Sequence, residues 1–343
     1  MFAPPLERKI SLQASLSWRG WRGPADYQVL ADIGRRANLA DHVAEAITAD
    51  SIANDLEHPV NFSPPEDVLI GEIESRPVAW QRTQWRSAAQ DVIYMLSGFV
   101  SPGWRRRGIG RELLRRGERR LRQVAAGHLS AGARPQGGGR YYSTFTPASR
   151  VGKVALFQSE GYEPVRHFYT MLRTGLEHLP EAPLPAGLEL RPALPEHWRA
   201  IWDANEEAFR DHWSPMVMTE EDYQRWLQDE DFDPSLWQIA WDTATNQVAG
   251  VSLNVVHHAA NAALGQQRGW VDNFSVRRPW RQRGLGRALL LRSLRVMRER
   301  GQTEVALGVD AQNPTGALRL YEGVGFKRID HAMVLAKPME LKP

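Results

Sequence analysis

One glycine turn surrounded by arginine occurs twice in the sequence. The stretches SPGWRRRGIGRELL (101–114) and RRPWRQRGLGRALL (277–290) are identical at eight of fourteen positions, and each runs into an apolar helical pattern. Glycines at the start of a helix let backbone N–H groups approach a ligand, and the helix N-terminus favours an anion. Nearby guanidinium groups add charge-assisted hydrogen bonds. The pattern therefore predicts a loop that binds a phosphate or a pyrophosphate.

Two better-known phosphate loops do not match this turn. The sequence has no Gly-x-x-x-x-Gly-Lys-Ser/Thr string, and the third glycine of a dinucleotide fingerprint is replaced by Leu113 and Leu289. The absence of cysteine excludes disulfides, thiolate zinc sites and a cysteine nucleophile. His257 and His258 are adjacent and lack an evident third ligand, so we expect no metal.

Further repeated segments indicate a duplicated domain. NFSPPEDVLI (61–70) parallels DFDPSLWQIA (231–240), and ALFQSEGYE (155–163) parallels RLYEGVGFK (319–327). The offsets, 170, 176 and 164 residues in chain order, change only modestly, as expected for two copies with loop insertions. The smaller last offset places extra residues in the first copy, and the glycine-rich stretch 128–139 is the expected location.

The length and one Pro-rich segment suggest where the copies separate. A chain of 343 residues exceeds the usual single-core domain, so two domains are expected. EHLPEAPLPAG (177–187) reads as a semi-rigid linker between domains at 1–176 and 188–343. Early strands followed by a β-α-β-α-β order in the second copy predict a mixed α/β sheet.

The second copy can be divided into elements by its hydrophobic periodicity and turn residues. Strands are predicted at 188–192, 269–276, 303–310 and 331–338, a hairpin over 236–257, and helices at 195–209, 284–301 and 314–325. Gly301 is expected to end the long helix.

Two motifs in the second copy resemble those of a known family. The strand ending at Val276, four residues, then Arg-x-x-Gly-x-Gly and a helix resemble the acetyl-CoA motif of the GNAT superfamily of N-acyltransferases. NPTGALRLYEGVGF (313–326) is similar to that family's second signature. The resemblance extends over nearly the whole chain as two copies. It implies an α/β fold of two tandem GNAT-like domains, each a mixed, mostly antiparallel twisted sheet flanked by helices, with a splayed central strand pair.

The resemblance also implies acetyl-CoA as cosubstrate and a set of residues that bind it. In the second copy these are Phe274, Ser275, Val276, Arg281, Gln282, Arg283, Gly284, Leu285, Gly286, Arg287 and Asn313. In the first copy the matching residues are Val100, Arg105, Arg107, Gly108 and Gly110. Asn313 fits equally well as a turn residue before Pro314.

For catalysis the resemblance implies direct attack of an amine on the thioester, with backbone donors stabilising the oxyanion. Tyr321 matches the family's tyrosine and is assigned as general acid, and the less favoured alternative is that it packs its ring and leaves its hydroxyl at the solvent. Asp272 is the assigned base. Asp211 and His212 are a second choice for the base and are assigned to acceptor binding, and each of these three also fits a surface or capping role.

The first copy departs from the motif where chemistry would occur. Phe157 aligns with Tyr321 and has no proton to give, and the asparagine position is lost in 146–153. The first copy is therefore expected to bind a CoA-like anion without efficient transfer, or to complete the substrate cleft. Catalysis is expected in the second copy.

The functional expectation is acetyl transfer to a primary amine, of a small molecule or of a peptide, by a cytoplasmic monomer or homodimer. No signal-like or membrane-length apolar run is evident. A non-catalytic acyl-CoA sensor or scaffold is the alternative. Nucleic-acid binding is a weaker one: segment 105–123 carries nine arginines, but an apolar stripe through Leu113 and Leu121 needs burial, and net charge is only +3.

Overall fold

The structure is a computed structural model that describes residues 16–44, 46–88, 91–130, 138–313 and 315–340. The first half comprises β1 (Leu16–Gly20), α1 (Tyr27–Ala40), α2 (Ala49–Glu57), α3 (Pro64–Asp67), β2 (Val68–Ile73), β3 (Arg76–Ser87), β4 (Val92–Val100), α4 (Ile109–Ser130), β5 (Arg140–Pro147), α5 (Val151–Ser159) and β6 (Glu163–Thr174). The predicted insertion at 128–139 lies largely outside the described residues.

The second half comprises β7 (Leu188–Arg191), α6 (Trp198–Phe209), α7 (Glu220–Leu227), β8 (Gln238–Asp242), β9 (Val248–Val255), α8 (His258–Leu264), β10 (Arg268–Val276), α9 (Leu285–Glu299), β11 (Glu304–Asp310), α10 (Ala317–Gly323) and β12 (Lys327–Pro338). These elements confirm the predicted α/β order of this half. The long helix ends just before Gly301, which has a φ of 79°.

All of these strands form one mixed sheet. Its order is β1-β2-β3-β4-β5-β12-β6-β11-β10-β9-β8-β7, and the neighbours are antiparallel except for the parallel pairs β4–β5 and β10–β11. The two parallel pairs stand at equivalent places of the two halves. This arrangement confirms the predicted pair of GNAT-like sheets.

The two halves exchange their last strands at the centre of the sheet. Strand β12, from the end of the chain, lies between β5 and β6, and β6, from the end of the first half, lies between β12 and β11. Each half-sheet is therefore completed by a strand of the other half. The Pro-rich segment 177–187 separates the two copies along the sequence. As a domain boundary it stays a prediction.

In each half, the two parallel strands separate before they end. Pairing between β10 and β11 stops at Val271↔Leu307, next to an irregularity in the β9–β10 register between Val271 and Asn273. Pairing between β4 and β5 stops at Met95↔Ser143. Beyond these points, among the described strands, β4 pairs only with β3, and β10 only with β9. A gap therefore opens between the two parallel strands at the centre of each half-sheet.

Two long helices cover one face of the sheet. Helix α9 buries Leu290, Leu294 and Met297 in a core that includes Val305 and Leu307 of β11. Helix α4 buries the predicted apolar stripe, with Leu114 and Leu121 packed on Tyr94 and Leu96. On the opposite face, α1 and α2 pack on Ile70 and Trp80, and the central strands form the floor of a large cavity.

A buried ion pair joins the two halves at the rim of this cavity. Arg86, at the end of β3, donates from Nη1 to both carboxylate oxygens of Asp222 on α7, each at 2.7 Å. Beside this pair, Ala88 forms a β-bridge with Met216, and Val217 N–H donates to the carbonyl of Ser87 at 2.9 Å. The segment before α7 is thereby fixed to the first half.

The exchanged strands predict that cutting the linker will not separate the halves. A protease site inserted between Ala186 and Gly187, both exposed, should be cleaved while β6 remains paired with β11 and β12. We expect the two fragments to co-elute on size-exclusion chromatography at the size of the intact chain under native conditions.

The same cleaved sample in urea is the control, since the fragments must separate once the sheet unfolds. Elution of two independent folded fragments without denaturant would contradict the exchanged pairing.

Candidate functional site

The loop before α9 presents a row of free backbone donors. Gly284, the N-cap of α9, has φ 86° and ψ −3°, a left-handed conformation that glycine adopts without strain. Within the described chain, none of the N–H groups from Gln282 to Arg287 has a hydrogen-bond acceptor. These donors, together with the positive end of the helix dipole, suit a phosphate. Among the described residues, apart from its chain neighbours and its own helix backbone, no atom would lie within 4 Å of a Cβ added at Gly284, so the loop is open to a ligand.

The loop is held in place by Arg281. Its Nε donates to the carbonyl of Val276 at 2.8 Å, and its Nη1 donates to Asp211 Oδ2 at 2.6 Å. Arg278 binds the other oxygen of Asp211, and these two guanidinium groups hold the pKa of Asp211 well below its usual range. Asp211 is thus a fixed anion that buttresses the loop.

The first half repeats this brace. Arg105 donates from Nε to the carbonyl of Val100 at 3.2 Å and binds Asp41 through two nitrogens at 2.6 and 2.9 Å. The N–H groups from Arg106 to Arg111 likewise have no acceptor in the described chain, and Gly108 has a φ of 83°. Both halves therefore retain the geometry of an anion loop.

Around the second loop, some side chains are exposed and others contact the protein. Arg283 is exposed and has no carboxylate partner among the described residues, and Arg287 donates to the carbonyl of Gly323 at 3.2 Å. Gln282 is exposed with a positive φ of 61°. Leu285 is buried under the helix. In the first half, the guanidinium of Arg107 stacks on the Trp104 ring at 4.9 Å.

Two residues at the end of β10 direct their backbone hydrogen-bonding groups into the gap between β10 and β11. Arg277 N–H donates to Ala249 of β9 at 3.0 Å, so Ser275 and Arg277 form hydrogen-bonded pairs with that strand. In an antiparallel ladder the alternate residues, Phe274 and Val276, direct their backbone groups away from β9. Their backbone groups therefore face the gap toward β11, where the Val276 carbonyl already accepts from Arg281 and its N–H is available to a ligand.

Gly286 allows α9 to lie close to this strand end. A Cβ at this position would be 3.3 Å from Leu320 Cδ2 and 3.6 Å from Phe274 Cζ. A Cβ would therefore be tight only against the Leu320 side chain and in ordinary contact with Phe274, and a longer side chain would press on both. The second glycine of the motif favours close packing, and the first suits the conformation of the turn.

Tyr321 lies behind the strand end, in the core between α10 and the sheet. Its ring is buried, with the Phe274 ring centroid at 6.0 Å and the Phe326 centroid at 6.1 Å. Its hydroxyl has no hydrogen-bond partner among the described residues, and burial raises its pKa above the usual value. The phenol is therefore neutral and keeps its proton near neutral pH.

Asp272 lies at the irregular position of β10, and its side chain faces the cavity. Asp272 is exposed to the solvent of the cavity, but the protein walls around it raise its pKa above the usual range, while the positive charge of His257 and a hydrogen bond from Asn273 lower it. Asn273 Nδ2 donates to Asp272 Oδ2 at 2.7 Å. Asn205 accepts from Ser275 Oγ at 2.9 Å and donates to Asn273 Oδ1 at 3.4 Å. The carboxylate is thus oriented by a chain of polar side chains.

The cavity in front of Asp272 has a volume of about 1570 Å³ and is lined by both halves. At the second-half end it is acidic and aromatic, with Asp229, Glu230, Asp231, His257, Trp213 and Trp270 in its wall. At the first-half end its charged residues are of both signs, namely Arg82, Arg150, Lys153, Asp55 and Asp91. The cavity is therefore more acidic at the second-half end.

Two other predicted site residues lie beside this arrangement. Asn313 Oδ1 accepts from the backbone N–H of Thr315 at 2.8 Å, which makes it a turn residue in this structure. His212 stacks on Phe209 with ring centroids 4.3 Å apart, and burial lowers its pKa. Neither His212 nor Asp211 is among the described residues that line the cavity. Their assignment to acceptor binding stays a prediction.

In the first half, the place of the tyrosine is filled by an apolar contact. Phe157 is buried and packs edge-on against Tyr162, with ring centroids 4.8 Å apart. The Tyr162 hydroxyl donates to Glu118 at 3.1 Å, which also binds Lys337 of the exchanged strand at 2.9 Å. This half therefore offers no free phenol at the equivalent point.

Sequence reasoning missed the partners that position the site. Asp211 lies 170 residues after Asp41, and Arg281 lies 176 residues after Arg105, so the two Asp–Arg pairs occupy equivalent places in the two copies. An aspartate at a matching place before each loop was the signal that the sequence offered. The pairing of His257 with Asp231 at 2.6 Å had no local signal, because the two residues are far apart in sequence.

The structure also bears on the other functional classes. Several arginines of 105–123 bind carboxylates of the protein, as in Arg111 with Glu160 at 2.7 Å and Arg120 with Asp67 at 2.7 Å. Among the described residues, no group of three or more His, Asp or Glu is arranged to hold a metal ion. No helix within the described ranges has the length and apolarity required to cross a bilayer.

Comparison with known sequences places both halves in one family. The sequence model of the acetyltransferase (GNAT) family matches residues 38–136 and 198–326. A mycothiol acetyltransferase from Thermobispora bispora is 35% identical over 67% of this chain and 71% of its own length. That from Thermobifida fusca is 33% identical over 66% and 69%. Against the enzyme from Pseudarthrobacter chlorophenolicus, 36% identical, the match spans 50% of this chain and about half of the relative, 52%.

Solved structures agree over nearly the full length. A GCN5-related N-acetyltransferase from Sphaerobacter thermophilus has a TM-score of 0.70 and 26% identity, covering 94% of this chain and 95% of that one. A tandem GNAT protein from the clavulanic acid biosynthesis pathway shares the fold, with a TM-score of 0.67 and 18% identity over 96% and 100% of the two chains. The chain belongs to the acetyltransferase (GNAT) family, as a tandem N-acyltransferase.

Proposed function

We propose that this protein transfers an acetyl group from acetyl-CoA to the primary amine of a small molecule, with the chemistry in the second half. The observation that carries this proposal is the convergence at the end of β10. The free donors of 282–287, the gap-facing backbone of Val276 and the carboxylate of Asp272 all lie on or directly after this one strand.

The residues of the second half fit acetyl-CoA. The open loop 282–287 would bind its diphosphate, with Arg283 as an exposed cation. The gap-facing backbone of Phe274 and Val276 would bind its pantetheine amides. When bound, acetyl-CoA supplies a thioester carbonyl for attack by the amine. Whichever gap-facing N–H of Phe274 or Val276 is not engaged by the pantetheine would stabilise the oxyanion.

Asp272 is the proposed base. The surrounding cavity walls raise its pKa, which makes the carboxylate a stronger base, and Asn273 fixes the orientation of the carboxylate. It takes one proton from the ammonium of the acceptor, which leaves a nucleophilic amine. Asp211 is less suited to this task because two guanidinium groups hold its pKa low.

Tyr321 is the proposed acid. As the C–S bond breaks, its hydroxyl gives a proton to the departing CoA sulfur, and the phenolate regains a proton from the nitrogen, which loses its second proton as the amide forms. Among the described residues, no partner competes for that hydroxyl. Phe157 cannot do this in the first half. We therefore assign catalysis to the second half, and to the first half a part in enclosing the acceptor.

The acceptor class is supported by the cavity and by the relatives. The acidic end beside Asp272 suits an ammonium group, and the shared walls suit a small molecule rather than a folded protein surface. The similar proteins that are named mycothiol acetyltransferases favour a small acceptor of this kind.

Removal of the Tyr321 hydroxyl is expected to slow turnover without weakening the binding of acetyl-CoA. In Tyr321→Phe, kcat for amine acetylation should fall at least about tenfold, equivalent to about 1.4 kcal/mol of barrier. The Kd of acetyl-CoA should stay within about twofold, as the ring and its packing are retained. Steady-state release of CoA and calorimetric titration measure the two quantities.

Tyr169→Phe is the matched control, because it removes a hydroxyl elsewhere in the sheet and should leave kcat unchanged. An undiminished kcat in Tyr321→Phe would remove this residue from the mechanism.

A negative charge at the first loop glycine is expected to abolish the anion site. Gly284→Glu places a carboxylate among donors meant for a diphosphate, so the Kd of acetyl-CoA should rise by at least about tenfold beyond that of Gly284→Ala. The alanine variant controls for the positive φ alone. Equal affinities of the two variants would show that the loop does not bind the diphosphate.

A further inference from the structure

We propose that His257, held by Asp231, is a positioning residue whose positive charge keeps Asp272 ionised and ready to accept a proton. This inference rests on the proposed function, since it concerns the base of that reaction. It adds a pair of residues that come from outside strand β10.

The geometry places the pair in the wall that Asp272 faces. His257 follows the end of β9, and its Nδ1 is 2.6 Å from Asp231 Oδ2. The other oxygen of Asp231 accepts from the backbone N–H of His258 at 3.4 Å, so the carboxylate is fixed on both sides. The His257 ring lies 6.4 Å from the Trp270 ring, and Trp270 and Asp272 are next-but-one neighbours on β10. Asp231, His257, Trp270 and Asp272 all line the same cavity.

The charges of Asp231, His257 and Asp272 alternate in sign, from negative to positive to negative. The hydrogen bond from Asp231 is the main cause that raises the pKa of His257, which preserves the imidazolium form toward neutral pH. The imidazolium in turn opposes the effect of burial on the pKa of Asp272. Without that cation, Asp272 would hold its proton to higher pH and could not act as a base there.

Other charged groups face the pair from each neighbouring segment. Asp229 and Glu230 precede Asp231, and Asp229 raises the pKa of both His257 and Asp272. Arg268, at the start of β10, is bound to Glu304 at 2.8 Å. From the first half, Asp50 acts on Glu230, and Asp55 and Arg82 line the far wall and bind each other at 2.6 Å. His257 is a cation in the wall of the same cavity, and its charge acts on Asp272.

The proton balance is simple. An N–H bond of the acceptor ammonium breaks, an O–H bond forms on Asp272, and the electron pair remains on the amine nitrogen. Asp272 later releases the proton to water in the cavity. His257 neither gains nor loses a proton in this step.

The test is a titration of Asp272 in the full chain, because it requires no acceptor. Aspartate labelled with carbon-13 at the side-chain carboxyl is followed by NMR against pH, and the Asp272 signal is assigned by its absence in Asp272→Asn. In His257→Asn, the amide can still donate to Asp231 but carries no charge. The Asp272 midpoint should move up by about half a pH unit or more, the scale of one charge acting through protein and water.

A kinetic arm uses the amine acetylated fastest among glucosamine, putrescine and benzylamine. The acid limb of kcat/KM should move to higher pH in His257→Asn, with the Kd of acetyl-CoA unchanged. His258→Asn, its exposed neighbour, should move neither the midpoint nor the limb. Asp231→Asn should shift the Asp272 midpoint and the acid limb in the same direction as His257→Asn, because His257 then loses its proton at lower pH. This variant replaces His257→Asn in the test if His257→Asn does not fold.

An Asp272 midpoint that is unmoved in both folded variants would overturn the inference while leaving acetyl transfer intact. Absence of turnover by the unmodified protein with every amine would instead count against the proposed function, and the NMR result would still stand on its own.

Discussion

The arrangement of the site depends on the loss of hydrogen bonds between β10 and β11 beyond Val271. Up to that point the two strands pair in parallel, and beyond it β10 bonds only to β9. The backbone of Phe274 and Val276 is then free on the side of the gap, which is costly unless water or a ligand satisfies it. Arg281 satisfies one carbonyl and thereby ties the glycine loop to the strand. Strand edge and loop donors are in this way parts of one rigid unit.

The exchange of the last strands decides how the two copies cooperate. Because β6 and β12 each complete the sheet of the other half, the floor of the cavity is continuous from one copy to the other. The buried contact of Arg86 with Asp222 then fixes a second-half segment to the first half beside the cavity. In the proposed function, one half would supply wall and floor for an acceptor that reacts in the other. The apolar packing of Phe157 and Tyr162 leaves the first half without the phenol that the proposal uses in the second half.

Local patterns in the sequence were sufficient for the elements and for the loop. The apolar spacing of α9, the turn glycines Gly284 and Gly301, and the duplicated motif are all encoded within a few residues, and the structure agrees with each of them. Long-range partners could not be predicted in this way. The crossing of β6 and β12, the brace of Asp211 on Arg281 and the pairing of His257 with Asp231 join residues distant in sequence. The assignments of Tyr321 and Asp272 came from the family resemblance, and the structure adds their surroundings, a buried phenol and an oriented carboxylate.

The central claim is that the strand edge and the glycine loop of the second half form one binding surface for the coenzyme. A crystal structure of the full chain with coenzyme A tests it most directly. The account predicts diphosphate oxygens within hydrogen-bond distance of the N–H groups between Gln282 and Arg287, with the pantetheine chain in the gap beside Phe274 and Val276. Coenzyme A bound elsewhere, with β10 and β11 closed onto each other or the loop folded over the gap, would contradict it.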